Sequence, residues 1–433
     1  MCQRAAAPIT ANTIKPERQM KPTLMYLALA TVFATTLAAP LANAAEQLRI
    51  DASHDLAIAR PSETITIAWT EVNRALPGAL VQRLAVRDRA GRVLAHQVTN
   101  VLPQAKDPNN IGAAYGELIF QYSFAAGEKS ASFTVEKTDT LAPVFPTAVT
   151  ARYIQERLDD FAWENDRVAH RTYGPALGAP AAPGVTKEVL ATSGLDIWFK
   201  RVSYPVIDRW YNKGHDHYHK DEGEGMDMYN VGKSRGCGGT GVWDGKLLHT
   251  SHNYKSWKVL ANGPVRAIFE LSYDSWDAGG VAVSEVKRFT VDAGHQFDRI
   301  DSTFTFAGPA AITIGIGLNK KPTDKGQQAQ IATARDEPRG ALMQWVQQAS
   351  NGAFGTAILL PGASGYADDP LNELVLAKVT SNQPLRYYVG AAWDKAGRVT
   401  TSQQWNAEIA TLAARVANPV RLSLRPATVK ETP

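Results

Sequence analysis

Apolar and polar residues alternate in short segments through most of this chain, and that period of two limits the fold more than any other feature. Between residues 46 and 145 the segments LRIDAS, TITIAW, LAVRD, VLAHQVT, LIFQYSF and SASFTVEK are rich in Val, Ile, Thr and Phe. Turn signals separate them: Ala90-Gly91, Asp107-Pro108-Asn109-Asn110 and Ala126-Gly127. With no helical stretch between them, they predict an antiparallel β-sandwich of immunoglobulin size that lacks a Cys-Trp-Cys core. Strands return after Gly241 as GVWDGKLLH, WKVLANGPVRAIFELSYDSW, VAVSEVKRFTVDAG and QFDRIDSTFTF, and later as ITIGIGLNK, ALMQWVQ, GTAILLP, ELVLAKV and LRYYVGAAW. One helix is predicted, over about Ser402 to Val416, where Trp405, Ile409, Leu412 and Val416 recur at helical spacing and face the outside of a sheet. At 433 residues the chain is too long for one core. The fold class is all-β: an N-terminal β-sandwich over residues 45–147, then a large antiparallel super-sandwich over 148–433 that carries the cleft.

The first 44 residues read as a leader. Lys21 precedes an uncharged, mostly apolar run, Pro22 to Leu41, and Ala42-Asn43-Ala44 has the small-x-small form of a cleavage signal, so cleavage is expected near Ala44 from a start at Met20. A periplasmic or secreted protein follows. Arg4, Lys15, Arg18 and Lys21, offset by Glu17, carry +3 of the formal +4, leaving the mature chain about neutral and giving nucleic-acid binding no electrostatic support. No membrane span is expected after the leader. Cys2 departs with it, so Cys237 is the one cysteine of the mature chain, more in keeping with a packing residue between glycines than with a nucleophile.

The segment from Lys213 to Thr240, KGHDHYHKDEGEGMDMYNVGKSRGCGGT, has a composition suited to neither a buried strand nor a stable helix. If it is extended, His215, His217 and His219 share one face. There they are candidate ligands for a divalent metal, and His217 or His219 is a candidate base. Tyr218 is a candidate acid. Glu222, Glu224 and Asp227, set between flexible glycines, are candidate carboxylates, and Lys233 with Arg235 before the Gly-Cys-Gly-Gly run is a candidate clamp for an anionic group. The bland alternative is a solvated His-rich loop. A second dense stretch places Trp163, Glu164, Asn165, Asp166 and Arg171 together as substrate-binding candidates, with Trp210 on a neighbouring aromatic and cationic wall.

The strings DDFAWENDRVAHRTYGPAL (159–177), SGLDIWFKRVSYPVIDRWY (193–211), HDHYHKDEGEGMDMYNVGKSRGCGG (215–239), LANGPVRAIFELSYDSW (260–276) and YYVGAAWDKAG (387–397) occur in this order, and together they resemble the bacterial domain-of-unknown-function family 4861. The resemblance covers essentially all of the mature chain. It implies a galactose-mutarotase-like super-sandwich found in polysaccharide-degradation loci, with uronic-acid glycans of pectin or rhamnogalacturonan type as substrates. It brings no catalytic mechanism, so the site residues rest on their chemistry. The expected function is a secreted enzyme acting on uronate-bearing oligosaccharides by β-elimination, which needs a base and a group that stabilises the enolate. The alternatives are a glycoside hydrolase with paired carboxylates, a sugar epimerase, and a non-catalytic glycan-binding protein relying on stacked aromatics such as Trp163, Trp210 and Trp243.

Overall fold

The computed structural model describes residues 47–99, 116–323 and 327–427; the leader expected over residues 1–44 lies outside them. The predicted alternation becomes a first sandwich of two antiparallel sheets. One orders its strands Arg421–Ala427, Gln47–Ser53, Ser130–Lys137, Leu84–Asp88, and the other Arg60–Ala68, Glu117–Phe124, His96–Thr99. Ile50, Ile65, Ile67, Phe120, Phe133 and Val135 fill the space between them.

Two expectations need correction here. The first sheet is completed from the far end of the chain: Gln47 pairs with Ala427 and Ser53 with Arg421, so residues 421–427 do not belong with the second sandwich. The reason is physical, because the Gln47–Ser53 strand would otherwise be an open edge, and Leu422 and Leu424 add apolar surface to the first core. A helix, Trp69–Ala75, also interrupts the strands. Trp69, Val72 and Ala75 bury one side of it, and seven residues are too few for that spacing to stand out directly after a strand.

The second sandwich sets an eight-stranded antiparallel sheet against two five-stranded ones. Its core interleaves rings from both layers. Phe269 and Phe289 stack with centroids 4.5 Å apart, and Trp163 lies 5.1 and 5.0 Å from them. The predicted C-terminal helix spans Ser402–Ala417, with the Thr401 side chain accepting from the Gln404 N–H as its N-cap. It lies on the outer face of the eight-stranded sheet, where Trp405 stacks on Phe297 at 5.2 Å. Among the described residues no helix is long and apolar enough to cross a membrane.

Candidate functional site

The site grows from the five-stranded sheet made of Thr150–Ile154, Asp160–Glu164, Val168–Thr172, Asp196–Lys200 and Gly225–Asp227. Alternation sends Phe161, Trp163, Ile197 and Phe199 into the main core. The opposite face carries Asp160, Glu164, Arg171, Asp196, Lys200 and Asp227, all buried. Two short helices, Ile207–Lys213 and His215–Tyr218, cover that face through Ile207, Trp210, Tyr211 and Tyr218 packed on Trp198. The cover is anchored electrostatically: Glu164 accepts from the Val206 and Ile207 N–H groups at the helix start and from Lys200 Nζ at 2.6 Å.

Arg171 is the centre of the polar layer. Its Nε donates to Asp196 Oδ2 at 2.7 Å, one terminal nitrogen to Asp227 Oδ2 at 2.8 Å, and the other to the Tyr218 hydroxyl at 3.3 Å, with Asp160 Oδ2 at 3.7 Å. Tyr211 donates to Asp160 at 3.1 Å and Tyr173 to Asp196 at 3.0 Å. Burial opposes the charge on Arg171, but Asp196 and Asp227 outweigh it and hold the guanidinium well above its ordinary pKa. Arg157 adds a second positive charge near Asp160, but burial outweighs both arginines. Burial accordingly raises the Asp160 pKa to about 6, and raises that of Asp196 as well.

The histidines do not share an extended face, because residues 215–218 form a helical turn. His215 and His219 therefore approach each other, with ring centroids 4.6 Å apart, while His217 turns to Glu222 with Nδ1 3.4 Å from Oε1. The expected three-imidazole metal site is thus not formed, and among the described residues no group of three or more His, Cys, Asp or Glu side chains is placed to hold a metal ion. His219, 30% exposed, sits at the rim of the buried layer with Nδ1 3.0 Å from the Asp227 carbonyl and 3.8 Å from its carboxylate.

The structure brings His219, Tyr218, Asp227 and Arg171 together; the sequence placed Arg171 in a different group, and only the antiparallel pairing of its strand with Asp196–Phe199 unites them. Asp160, from the dense polar stretch, and Tyr211, from the aromatic and cationic wall, join them as expected of a shared cleft lining, whereas Asp196 was not singled out and its one signal was its alternation with Trp198 on one strand face. His217, Glu222 and Lys213 form an exposed cluster outside, in which hydrogen bonds from Lys213 and then His217 hold the Glu222 carboxyl below its usual range.

Several candidates are structural instead. Glu224 accepts from Tyr204, Arg209 and Trp210, tying the loop to the covering helix and using up Trp210. Trp163 is fully buried in the core, where it donates to Asp298 at 2.7 Å. Asn165 closes a turn by accepting from the Arg167 and Val168 N–H groups, and Asp166 accepts from Gly294 N. Arg235 is no clamp at a cleft: it is buried, donates to Ser193, Thr192 and the Lys233 carbonyl, and is lowered to about 10 by burial. Lys233 stands exposed and Trp243 half-buried, each on a different part of the chain from the His219 rim. Gly236 and Gly238 have positive φ, and a side chain there would collide with the Leu195 carbonyl and Val389, so these glycines permit close strand approach and do not cradle a ligand. Cys237 is buried between them, and burial pushes its thiol up to about 12, which suits packing.

Fold and site together define an all-β two-sandwich protein with a helix-covered acidic layer around Arg171. The chain belongs to the family described as domain of unknown function 4861, whose model matches residues 52–422. A relative in Formosa agariphila, "Uncharacterized protein P7", is 29% identical over 417 residues, covering 93% of this chain and 98% of that one. Among solved structures, an alpha-mannosidase from Enterococcus faecalis aligns with 89% of this chain at 9% identity and a TM-score of 0.43, and a glycosyl hydrolase family 38 protein of the same organism at 10% and 0.43. The chain spans about half the length of those two, covering 47% and 48% of them.

Proposed function

We propose that this protein is a carbohydrate-active enzyme that cleaves uronate-bearing oligosaccharides by β-elimination, with His219 as the base. The observation that carries the reading is the hydrogen bond from His219 to the Asp227 carbonyl at 3.0 Å. A carbonyl oxygen can only accept, so His219 Nδ1–H donates to it, and this bond fixes the orientation of the ring at the rim of the buried layer. In the reaction the His219 imidazole takes the proton from the carbon beside the sugar carboxylate. The C–H electron pair becomes the new carbon–carbon double bond as the bond to the leaving oxygen breaks, and the imidazolium returns the proton to that oxygen. Lys220, exposed and next in the chain to His219, balances the charge of the carboxylate and the enolate. Arg171, Tyr218 and Asp227 act as positioning residues, since they fix the strand and the helical turn that carry His219. The family resemblance, with its implied setting in polysaccharide degradation, supports the substrate class.

Hydrolysis with paired carboxylates is the second reading, and one assay distinguishes it. The two separate on incubating the chain from Ala45 with pectic, alginate-like and glucuronate-bearing oligosaccharides. Elimination gives a product with new ultraviolet absorbance, lost in His219→Gln. Reducing ends without that absorbance, in products heavier by one water, favour the carboxylates, and binding without product rejects both. The reading includes export, with the leader cut near Ala44; N-terminal sequencing of the exported chain tests that.

A further inference from the structure

On the opposite face of the second sandwich, the outer surface of the eight-stranded sheet meets the first sandwich and the C-terminal helix around a cavity of about 730 Å³. Arginines from every wall converge on it. Arg266, Arg299 and Arg386 come from the sheet, Arg415 from the helix and Arg60 from the first sandwich. The carboxylates among them are too few. Glu63 serves both Arg60, at 3.0 Å, and Arg415, at 2.7 Å; Asp301, behind the wall, serves both Arg299, at 3.2 Å, and Arg386, at 2.6 Å. Only Arg266 has a carboxylate to itself, Asp292, at 2.5 and 2.7 Å. One positive charge is therefore left over at each of two separate points.

Arg299 shows the strain of this arrangement. Its buried Nε faces Asp301 without hydrogen-bond alignment, and burial, with Arg266 and Arg386 nearby, pulls its pKa below the ordinary arginine value. Thr64, Thr66 and Thr290 put hydroxyls on the walls, and Phe297 and Tyr388 add ring surface. The cavity continues past His295, Leu412 and Arg415 into a hollow of about 140 Å³ with Arg167 and Arg398 on its wall.

We propose that this groove binds an acidic oligosaccharide, with carboxylate or sulfate groups spaced along a hydroxylated chain, at a site separate from His219. A guanidinium fork matches the planar or tetrahedral oxyanion. Two separated points of excess charge, with hydroxyls and ring surface among them, fit spaced anions on sugar rings better than one compact ion. A nucleic acid is disfavoured because the mature chain is nearly neutral overall, so the positive potential is confined to the groove. The inference does not depend on the reaction proposed above.

Calorimetric titration of the chain from Ala45 tests it, with a heparin-derived hexasaccharide, hexagalacturonate, neutral maltohexaose and inorganic phosphate as probes. Arg386→Glu is suitable because Arg386 is 56% exposed, and Arg74→Glu, 71% exposed on a helix of the first sandwich, makes the same charge change away from the groove. The expected result is binding of at least one acidic hexasaccharide and not of maltohexaose. Affinity should fall about tenfold or more in Arg386→Glu and less than about twofold in Arg74→Glu, with a shallower salt dependence in the former. Arg386→Gln, a milder change should the glutamate variant fold poorly, should give an intermediate loss. His219→Gln should keep the groove's affinity, which separates this site from the reaction. Equal affinity in wild type and Arg386→Gln, an equal loss in Arg74→Glu, or binding of phosphate but of neither acidic hexasaccharide would overturn the proposal.

Discussion

Replacing Asp160 by Asn tests whether burial, against the pull of Arg171 and Arg157, keeps this carboxyl protonated. Burial raises the Asp160 carboxyl from 3.8 to about 6, so between these values the folded protein holds a proton that the unfolded chain has lost. Folding is then linked to proton uptake, and the Asp160 contribution to stability falls as pH rises, levelling off above about pH 6. The full span is about 3 kcal/mol, and about 2 kcal/mol of it falls between about pH 4.5 and about pH 7.5. Asn keeps the shape and cannot ionise. Whatever the substitution costs through the lost interactions with Tyr211 and Arg171, the stability of Asp160→Asn relative to wild type should rise by about 2 kcal/mol across that pH interval. Asp196 reinforces the sign, because removing a neighbouring negative charge eases its own ionisation. Urea unfolding of both proteins at several pH values, followed by fluorescence, reads the difference directly. A difference that stays flat with pH, or one that falls as pH rises, would refute the reasoning, since it would mean that Asp160 is ionised in the folded protein throughout.

His219→Gln should fold normally, because the side chain is partly exposed, and should lower kcat by about 10²- to 10⁴-fold in the elimination assay. Glu164→Ala removes both the partner of buried Lys200 and the acceptor at the start of the Ile207–Lys213 helix; a stability loss of about 3–5 kcal/mol is expected in chemical unfolding, with activity falling as the helical cover loosens. Cys237 should react with a thiol reagent only as the protein unfolds, and Cys237→Ala should retain activity; rapid labelling of the native protein would contradict its burial.

What could be read from the sequence follows from how local each signal is. Strand alternation and the Trp405, Ile409, Leu412, Val416 spacing depend on neighbouring residues, and both appear in the structure as expected. The Arg421–Ala427 strand alternates too, but its partner, Gln47–Ser53, lies at the other end of the chain, and no periodicity reports a pairing over that distance.

The histidine segment shows the limit most clearly. A spacing of two places side chains together only in extended backbone, and Gly214, at φ +93°, breaks the chain just before His215 and starts a helical turn. In that turn the relevant separation is four, so His215 meets His219 and leaves His217 with Glu222. The polar crowding around Asp159–Arg171 was visible, yet which of those groups face one another depends on strand pairing: Arg171 lies opposite Asp196, and Trp198 opposite Asp227. Composition marked where polar groups concentrate, and register decided which of them meet. The same reasoning explains why the arginine groove escaped notice, because Arg60, Arg266, Arg299, Arg386 and Arg415 come from five separate elements and no short stretch of sequence contains two of them.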